Sequence, residues 1–392
     1  MQPVALMMLA FVTFALGFGE LMIAAILPAI ATDLRTSISL AGQLVTVYAL
    51  MFALLAPPLA IALRALPAKA VLIGGLLLVA VANGVAAAAQ TFGLLLVARI
   101  VAATGSAVAT PLAIAAIDRV ASPHMRGRAH GIVFTGFSLA AMLGVPLGAL
   151  IAARWGWRPT FGGVATLAAG AAIGTAIAVP AGSSAPALTW SVLRRTLTHP
   201  AVRDALIVSS SFLSAVYAVF TYFRPYFGRA QTGGVAAIVW LFSIYGAVGI
   251  AGTLLGGWAI DRFGTRLTLL ASICGCGLTF VALPLASQSL IGASLGVALW
   301  ALTSWGFGPA MNRQLEHVAG EARDVAFALN LTAFNVGIAA GSALGGSVIA
   351  VAGIASIPFA AATLCGVAFA VTFLGVRSPI REPRHEAMPR AR

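Results

Sequence analysis

The chain has 392 residues, 60% of them hydrophobic and only 8% charged, with a mean hydropathy of +1.01. An average soluble domain carries about 25% charged residues, so a soluble globular protein is excluded. The net charge of +13 comes from basic blocks between apolar runs, and attraction to an anionic cytoplasmic leaflet explains it without nucleic acid.

The first apolar run extends from Val4 to Ile30 and exceeds the roughly 20 residues that a bilayer core requires. It lacks a basic leading segment and a small-residue cleavage pattern, so it reads as a retained helix. Glu20 lies deep inside it. A carboxylate near the midplane costs about 3 kcal/mol, so it faces a protein interior or a wet cavity, where it pairs or takes up a proton. The alternative is a neutral, hydrogen-bonded acid that only packs helices.

Breaks at charges, prolines and glycines predict twelve helical spans. Their centres fall near Gly17, Leu50, Val79, Gly105, Ala141, Gly170, Ala215, Gly246, Gly277, Leu299, Ile338 and Gly366. The loops alternate in charge. Arg64, Lys69, Arg119, Arg126, Arg128, Arg194, Arg195, Arg203, Arg262, Arg266, Arg313, Arg323 and the tail from Arg377 lie on one side. Arg35, Arg154, Arg158, Arg224 and Arg229 lie on the other. The richer side, with both termini, is placed in the cytoplasm.

The expected fold is an all-α membrane protein of twelve transmembrane helices arranged as two pseudo-symmetric six-helix bundles, residues 1–181 and 204–376. A cytoplasmic linker spans 182–203 and a basic tail 377–392. Within the linker, Trp190, Leu193 and Leu197 form the apolar face of an interfacial helix with Arg194 and Arg195 toward lipid headgroups, or the segment is an unstructured tether. Sliding the second half back onto the first brings Gly346 onto Gly148 and Arg262 onto Arg64. Parallel six-helix repeats of this kind are one architecture of secondary transporters, with the substrate between the halves.

Glu20 and Arg99 are the ionisable residues well inside spans, close enough in depth for a direct or water-bridged pair. In a proton-coupled exchanger Glu20 would be the proton carrier. Arg99 holds the fourth helix or tunes Glu20, unless it snorkels to the outer headgroups. On the fifth span Gly144 and Gly148 make a small-residue face, as do Gly337, Gly341 and Gly345 on the eleventh, and both are expected to pack across the half-to-half interface. Pro146 kinks its helix, giving a hinge at Gly144, Pro146 and Gly148. Cys274, Cys276 and Cys365 fall in apolar runs and read as packing residues, with no zinc-site spacing. The histidines lie in or beside cytoplasmic loops and no phosphate loop occurs. Hydrolysis and ATP-driven pumping are therefore disfavoured, while a sensor that binds without transport is a second class. No metal and no cofactor beyond the proton gradient is expected.

Gly257-Trp-Ala-Ile-Asp261-Arg262-Phe-Gly264-Thr-Arg266 resembles the loop signature of the major facilitator superfamily. Three more stretches are similar to its twelve-span drug:proton antiporters, in the arabinose efflux permease-like and chloramphenicol exporter branch. They are Glu20 eight residues before Pro28, Leu96 to Gly105 around Arg99, and Leu143 to Gly148 with Gly156-Trp157-Arg158. The resemblance implies a cytoplasmic latch at Gly257, Asp261, Arg262 and Arg266, in which Gly257 permits close helix approach. The matching turn of the first half, Pro58 to Arg64, lacks the glycine and the aspartate. It also implies a cavity lined by the first, fourth, seventh and tenth helices. Tyr217, Phe220, Trp300 and Phe307 would be its walls, and Ser106 and Ser304 its small polar contacts. Tyr48, Asn330 and Asn335 would offer hydrogen bonds.

The implied activity is proton-coupled efflux of a small organic molecule from a bacterial cytoplasmic membrane by a monomer with lipid around it. Proton-coupled import or facilitated diffusion is the alternative. One carboxylate and few amides suit an amphipathic drug such as a phenicol better than a sugar, whose hydroxyls would need more polar partners.

Overall fold

A computed structural model describes residues 3–181, 189–229 and 233–375. The basic tail and the start of the linker lie outside the described residues. Twelve helices are long and apolar enough to cross a bilayer. Those of the first half are Pro3–Leu21, Ile38–Ala62, Ala68–Ala87, Phe92–Ile117, Arg126–Trp155 and Arg158–Ala178. Those of the second are Pro200–Phe220, Gly234–Phe263, Thr265–Ala286, Leu290–Ala319, Arg323–Ala352 and Ile354–Gly375. Helices follow from the solvent, since every peptide group in hydrocarbon must be hydrogen-bonded within its own segment. Their starts are marked by side-chain caps: Ser37, Thr91 and Ser289 accept from the backbone N–H of Leu40, Leu94 and Gly292 at 3.1, 3.3 and 3.0 Å. Gly156 and Gly353, at φ 83° and 79°, end the fifth and eleventh spans in a conformation that side chains with a Cβ rarely adopt.

The repeat is visible in the packing. In the first half the first span packs on the fifth and sixth, the third on the fourth and sixth, and the second on the fourth. In the second half the seventh packs on the eleventh and twelfth, the ninth on the tenth and twelfth, and the eighth on the tenth. The halves meet along two matching seams, second span against eleventh and fifth against eighth.

The small-residue faces differ from expectation. Gly337 and Gly341 lie against the backbone of Ser210 and Ser214, and Gly345 against Ala218, all on the seventh span of the same half. Gly144 and Gly148 lie against Phe18 of the first span. These faces hold each bundle together. The seams use other residues: Gly246 beneath Met142, and Gly42 and Gly346 around the Tyr222 hydroxyl. A glycine repeat marks a face that permits close approach, but the wider helix packing decides which neighbour takes it.

The expected kink of the fifth span is a π-helical turn over Ala140–Gly144, immediately before Val145 and Pro146. Pro146 has no N–H to donate to the Met142 carbonyl, so the ladder loosens there. In the linker, Trp190–Thr198 is a helix capped by Thr189. Trp190, Leu193 and Leu197 lie on one side of this helix, where Leu193 is buried against the bundle while Trp190 and Leu197 stay exposed.

Candidate functional site

The first span is interrupted at Met22, between Pro3–Leu21 and Ile23–Asp33. One turn earlier, Arg99 of the fourth span donates from Nη1 to the Gly19 carbonyl at 3.0 Å. A side-chain donor inserted into the helix ladder is a recognised cause of such a break. Glu20 lies two residues before the interruption, half-buried, without a described hydrogen bond or ion pair, and within the electrostatic reach of Arg99, Tyr48 and Tyr217.

Arg99 is 1% exposed. Its guanidinium carbon lies 4.1 Å from the centre of the Tyr48 ring, and its Nε and Nη2 have no hydrogen-bond partner among the described residues. A desolvated cation over an aromatic face gains about 2 kcal/mol, which offsets only part of the cost of burying it. The Glu20 carboxylate and the Gly19 carbonyl supply further compensation. Arg99 therefore points inward and does not snorkel. Tyr48 in turn interacts with Ser106, so the expected first-half residues converge around one buried cation.

The second-half residues divide into two environments. Tyr217 and Ser304 are half-buried, with Ser304 serving Tyr245 of the eighth span. Trp300 is 0% exposed, enclosed by Phe220, Phe223, Tyr245 and Phe280 at ring separations of 6.4, 5.9, 4.9 and 5.4 Å. Phe307 stacks on Phe212 at 4.2 Å. Trp300, Phe220 and Phe307 are thus the interior of the second bundle rather than walls open to a substrate. Asn330 accepts from Ser209 at 2.7 Å, and Asn335 donates to Leu331 at 3.0 Å. Both asparagines bond helices of their own bundle.

Three residues outside the expected set belong to the centre. Trp305, Phe137 and Tyr245 form a chain of rings, with Phe137 and Trp305 6.4 Å apart and Tyr245 and Trp305 6.3 Å apart. Aromatic residues were abundant enough in the sequence that nothing singled these out.

At one end of the bundles, where the first span ends and the second begins, the halves are fastened together. Arg224 Nη1 donates to the Ala25 carbonyl at 2.6 Å, and Ser39 Oγ to the Gly346 carbonyl at 2.7 Å. Tyr222 donates to Ser342 at 2.9 Å beside them. The rim of the first half at that same end is braced separately. Asp33 accepts from Arg158 at 2.7 Å and from Trp157 Nε1 at 3.1 Å, while Arg158 also donates to the Ala89 carbonyl from Nε and Nη2.

At the opposite end of the second bundle a cavity of about 480 Å³ is lined by Gly257, Ile260, Asp261, Pro309, Asn312, Arg313, Glu316 and Phe327. Asp261 is exposed and without a described partner, and Arg262 is exposed. Arg266 donates to the Phe373 carbonyl at 3.2 Å. Gly257 has open space where a Cβ would stand. The close approach expected of it belongs to Gly256, against Gly306, because the facing helix lies one position away around the axis.

The Major Facilitator Superfamily model matches residues 9–315 and 229–391. The chain is 29% identical over 346 residues to a chloramphenicol resistance protein of Streptomyces lividans, covering 87% of this chain and 88% of that one. It is 28% identical over 359 residues to a probable sugar efflux transporter of Pasteurella multocida (strain Pm70), covering 90% and 88%. Its fold is similar to the crystal structure of a bacterial homologue of the human lysosomal transporter Spinster, with a TM-score of 0.75, 18% identity, and coverage of 95% and 96%. With twelve apolar helices in two matching bundles and a sequence match that runs through both, the chain belongs to the Major Facilitator Superfamily.

Proposed function

We propose that this protein exports small amphipathic molecules in exchange for protons across the bacterial cytoplasmic membrane, with both termini in the cytoplasm and as a monomer without a cofactor. The observation that carries the reading is Glu20, a half-buried carboxylate at the interruption of the first helix, free of described hydrogen bonds and beside the fully buried Arg99. A carboxylate locked in a structural network has no reason to change its proton. One that keeps partial exposure beside a single fixed cation can release a proton when one side opens and recover it on the other.

In this reading Arg99, held by Gly19 and Tyr48, stays in place while Glu20 alternates between proton and substrate. The two seams supply the movement. Loosening the Arg224 and Ser39 contacts would open the outer side, and Asp261 would gain partners as the cytoplasmic side closes. The outward direction is supported by the names of relatives, one for chloramphenicol resistance and one for sugar efflux. The single central carboxylate favours an amphipathic drug over a sugar.

Proteoliposomes with an imposed pH gradient test the reading. The wild type should drive labelled chloramphenicol uphill against proton flow. Glu20→Gln should retain substrate binding and downhill exchange while losing gradient-driven accumulation. Undiminished uphill transport by Glu20→Gln would refute the proton-carrier role, and accumulation in the same direction as the protons would make the protein an importer.

A further inference from the structure

Phe137 and Trp305 stand on opposite halves, and theirs is the ring contact that bridges them among the described aromatic pairs, at 6.4 Å between centroids and 45° between planes. Each ring is seated on a glycine of its own half. A Cβ at Gly17 would come within 2.7 Å of Phe137 Cδ2, and one at Gly249 within 2.8 Å of Trp305 Cδ2. Gly17 is three residues, about 4.5 Å, from Glu20 toward the cytoplasmic end of the first span. Both rings are half-buried, unlike the enclosed rings around Trp300, and Tyr245 supports the far edge of Trp305.

We propose that Phe137 and Trp305 are the two jaws of a substrate clamp on the cytoplasmic side of Glu20, and that it takes a molecule with a planar apolar portion. The proposal rests on the exporter reading and narrows its substrate class. At 6.4 Å and 45° the rings are tilted to one another rather than stacked, which leaves their faces largely unused. A flat group entering between them exchanges that one tilted contact for two face contacts. Each jaw is fixed to its own bundle, so relative movement of the halves changes the gap. A pentose offers only small C–H patches set among its hydroxyls, so it gains less from two facing rings than a flat apolar group does.

The test is equilibrium binding of radiolabelled chloramphenicol and of a labelled pentose to the full-length protein in proteoliposomes, with pH-driven flux measured separately. Trp305→Ala should weaken chloramphenicol binding about tenfold, and Trp305→Phe, which keeps a ring, should restore most of it. Gly249→Ala, which displaces the Trp305 ring, should weaken it as well, while any pentose binding stays at the wild-type level. If Trp305→Ala does not purify as a monodisperse protein, Phe137→Leu makes the same comparison. Wild-type affinity in the alanine and leucine variants, an equal loss for the pentose, or a wild type that does not bind chloramphenicol overturns the clamp. Selective loss of chloramphenicol binding in a protein that shows no proton-driven flux upholds the clamp and refutes the exporter reading.

Discussion

In the proposed orientation, Arg224→Leu should shift the protein toward a state open on the outer side. The guanidinium is half-buried and donates to the Ala25 carbonyl at 2.6 Å, joining the segment after the seventh span to the outer part of the first helix. A hydrogen bond from a charged donor contributes about 1.5–3 kcal/mol. Because Arg224 is partly exposed, the lower end applies, and about 1.4 kcal/mol corresponds to a tenfold change in an equilibrium. The ratio of outer-closed to outer-open molecules should therefore fall roughly tenfold, with the Ser39 to Gly346 bond and the Tyr222 packing still holding part of the seam. The assay uses a background lacking Cys274, Cys276 and Cys365, with a single cysteine at Leu27, which is 0% exposed. Labelling by a membrane-impermeant maleimide from the outer side should accelerate about tenfold in the Arg224→Leu protein. A cysteine at Phe327, which lines the cytoplasmic cavity, should become less reactive in parallel. Unchanged rates at both positions would show that the contact does not hold the outer side closed.

Asp33→Asn should cost only about 1 kcal/mol in thermal unfolding, since its salt bridge with Arg158 is partly exposed and screened; a cost several times larger would mean that the outer brace is a folding element. Asp261→Asn should leave the stability of this conformation within about 0.5 kcal/mol of wild type, because Asp261 has no described partner here, yet slow transport if the residue latches the opposite state; unchanged flux and labelling would make it an ordinary loop acid. Trp300→Ala should destabilise the second bundle by about 3–5 kcal/mol, lowering the yield of folded protein and the transport of every substrate alike. Retained folding with selective loss of one compound would instead place Trp300 at the substrate.

Much of the architecture was legible because hydrocarbon imposes a length on each helix and the two halves carry the same spacing. Glu20 stood out because an isolated acid in an apolar run has few structural uses. The partner of Arg99 was not legible, since a backbone carbonyl such as that of Gly19 exists at every position and only the fold selects one. Trp300 and Trp305 show the same limit. They are five residues apart on one helix, about 140° around its axis, so one ring is enclosed by its bundle while the other meets Phe137. The glycine faces of the fifth and eleventh spans were visible as close-packing surfaces, but whether they faced inward to their own bundle or across the seam depended on helices far away in sequence.

The division of labour between those faces bears on how such a protein can diversify. Gly337, Gly341 and Gly345 lie tightly against the seventh span, and Gly144 and Gly148 against Phe18, so a larger residue there disturbs the assembly of one bundle. The surfaces that meet between bundles carry separate residues, and the central rings rest on seats of their own. The residues proposed here to meet cargo are thus distinct from the glycines that close each bundle. Phe137, Trp305 and Tyr217 are only half-buried, so a change there disturbs less packing than one at the glycine faces.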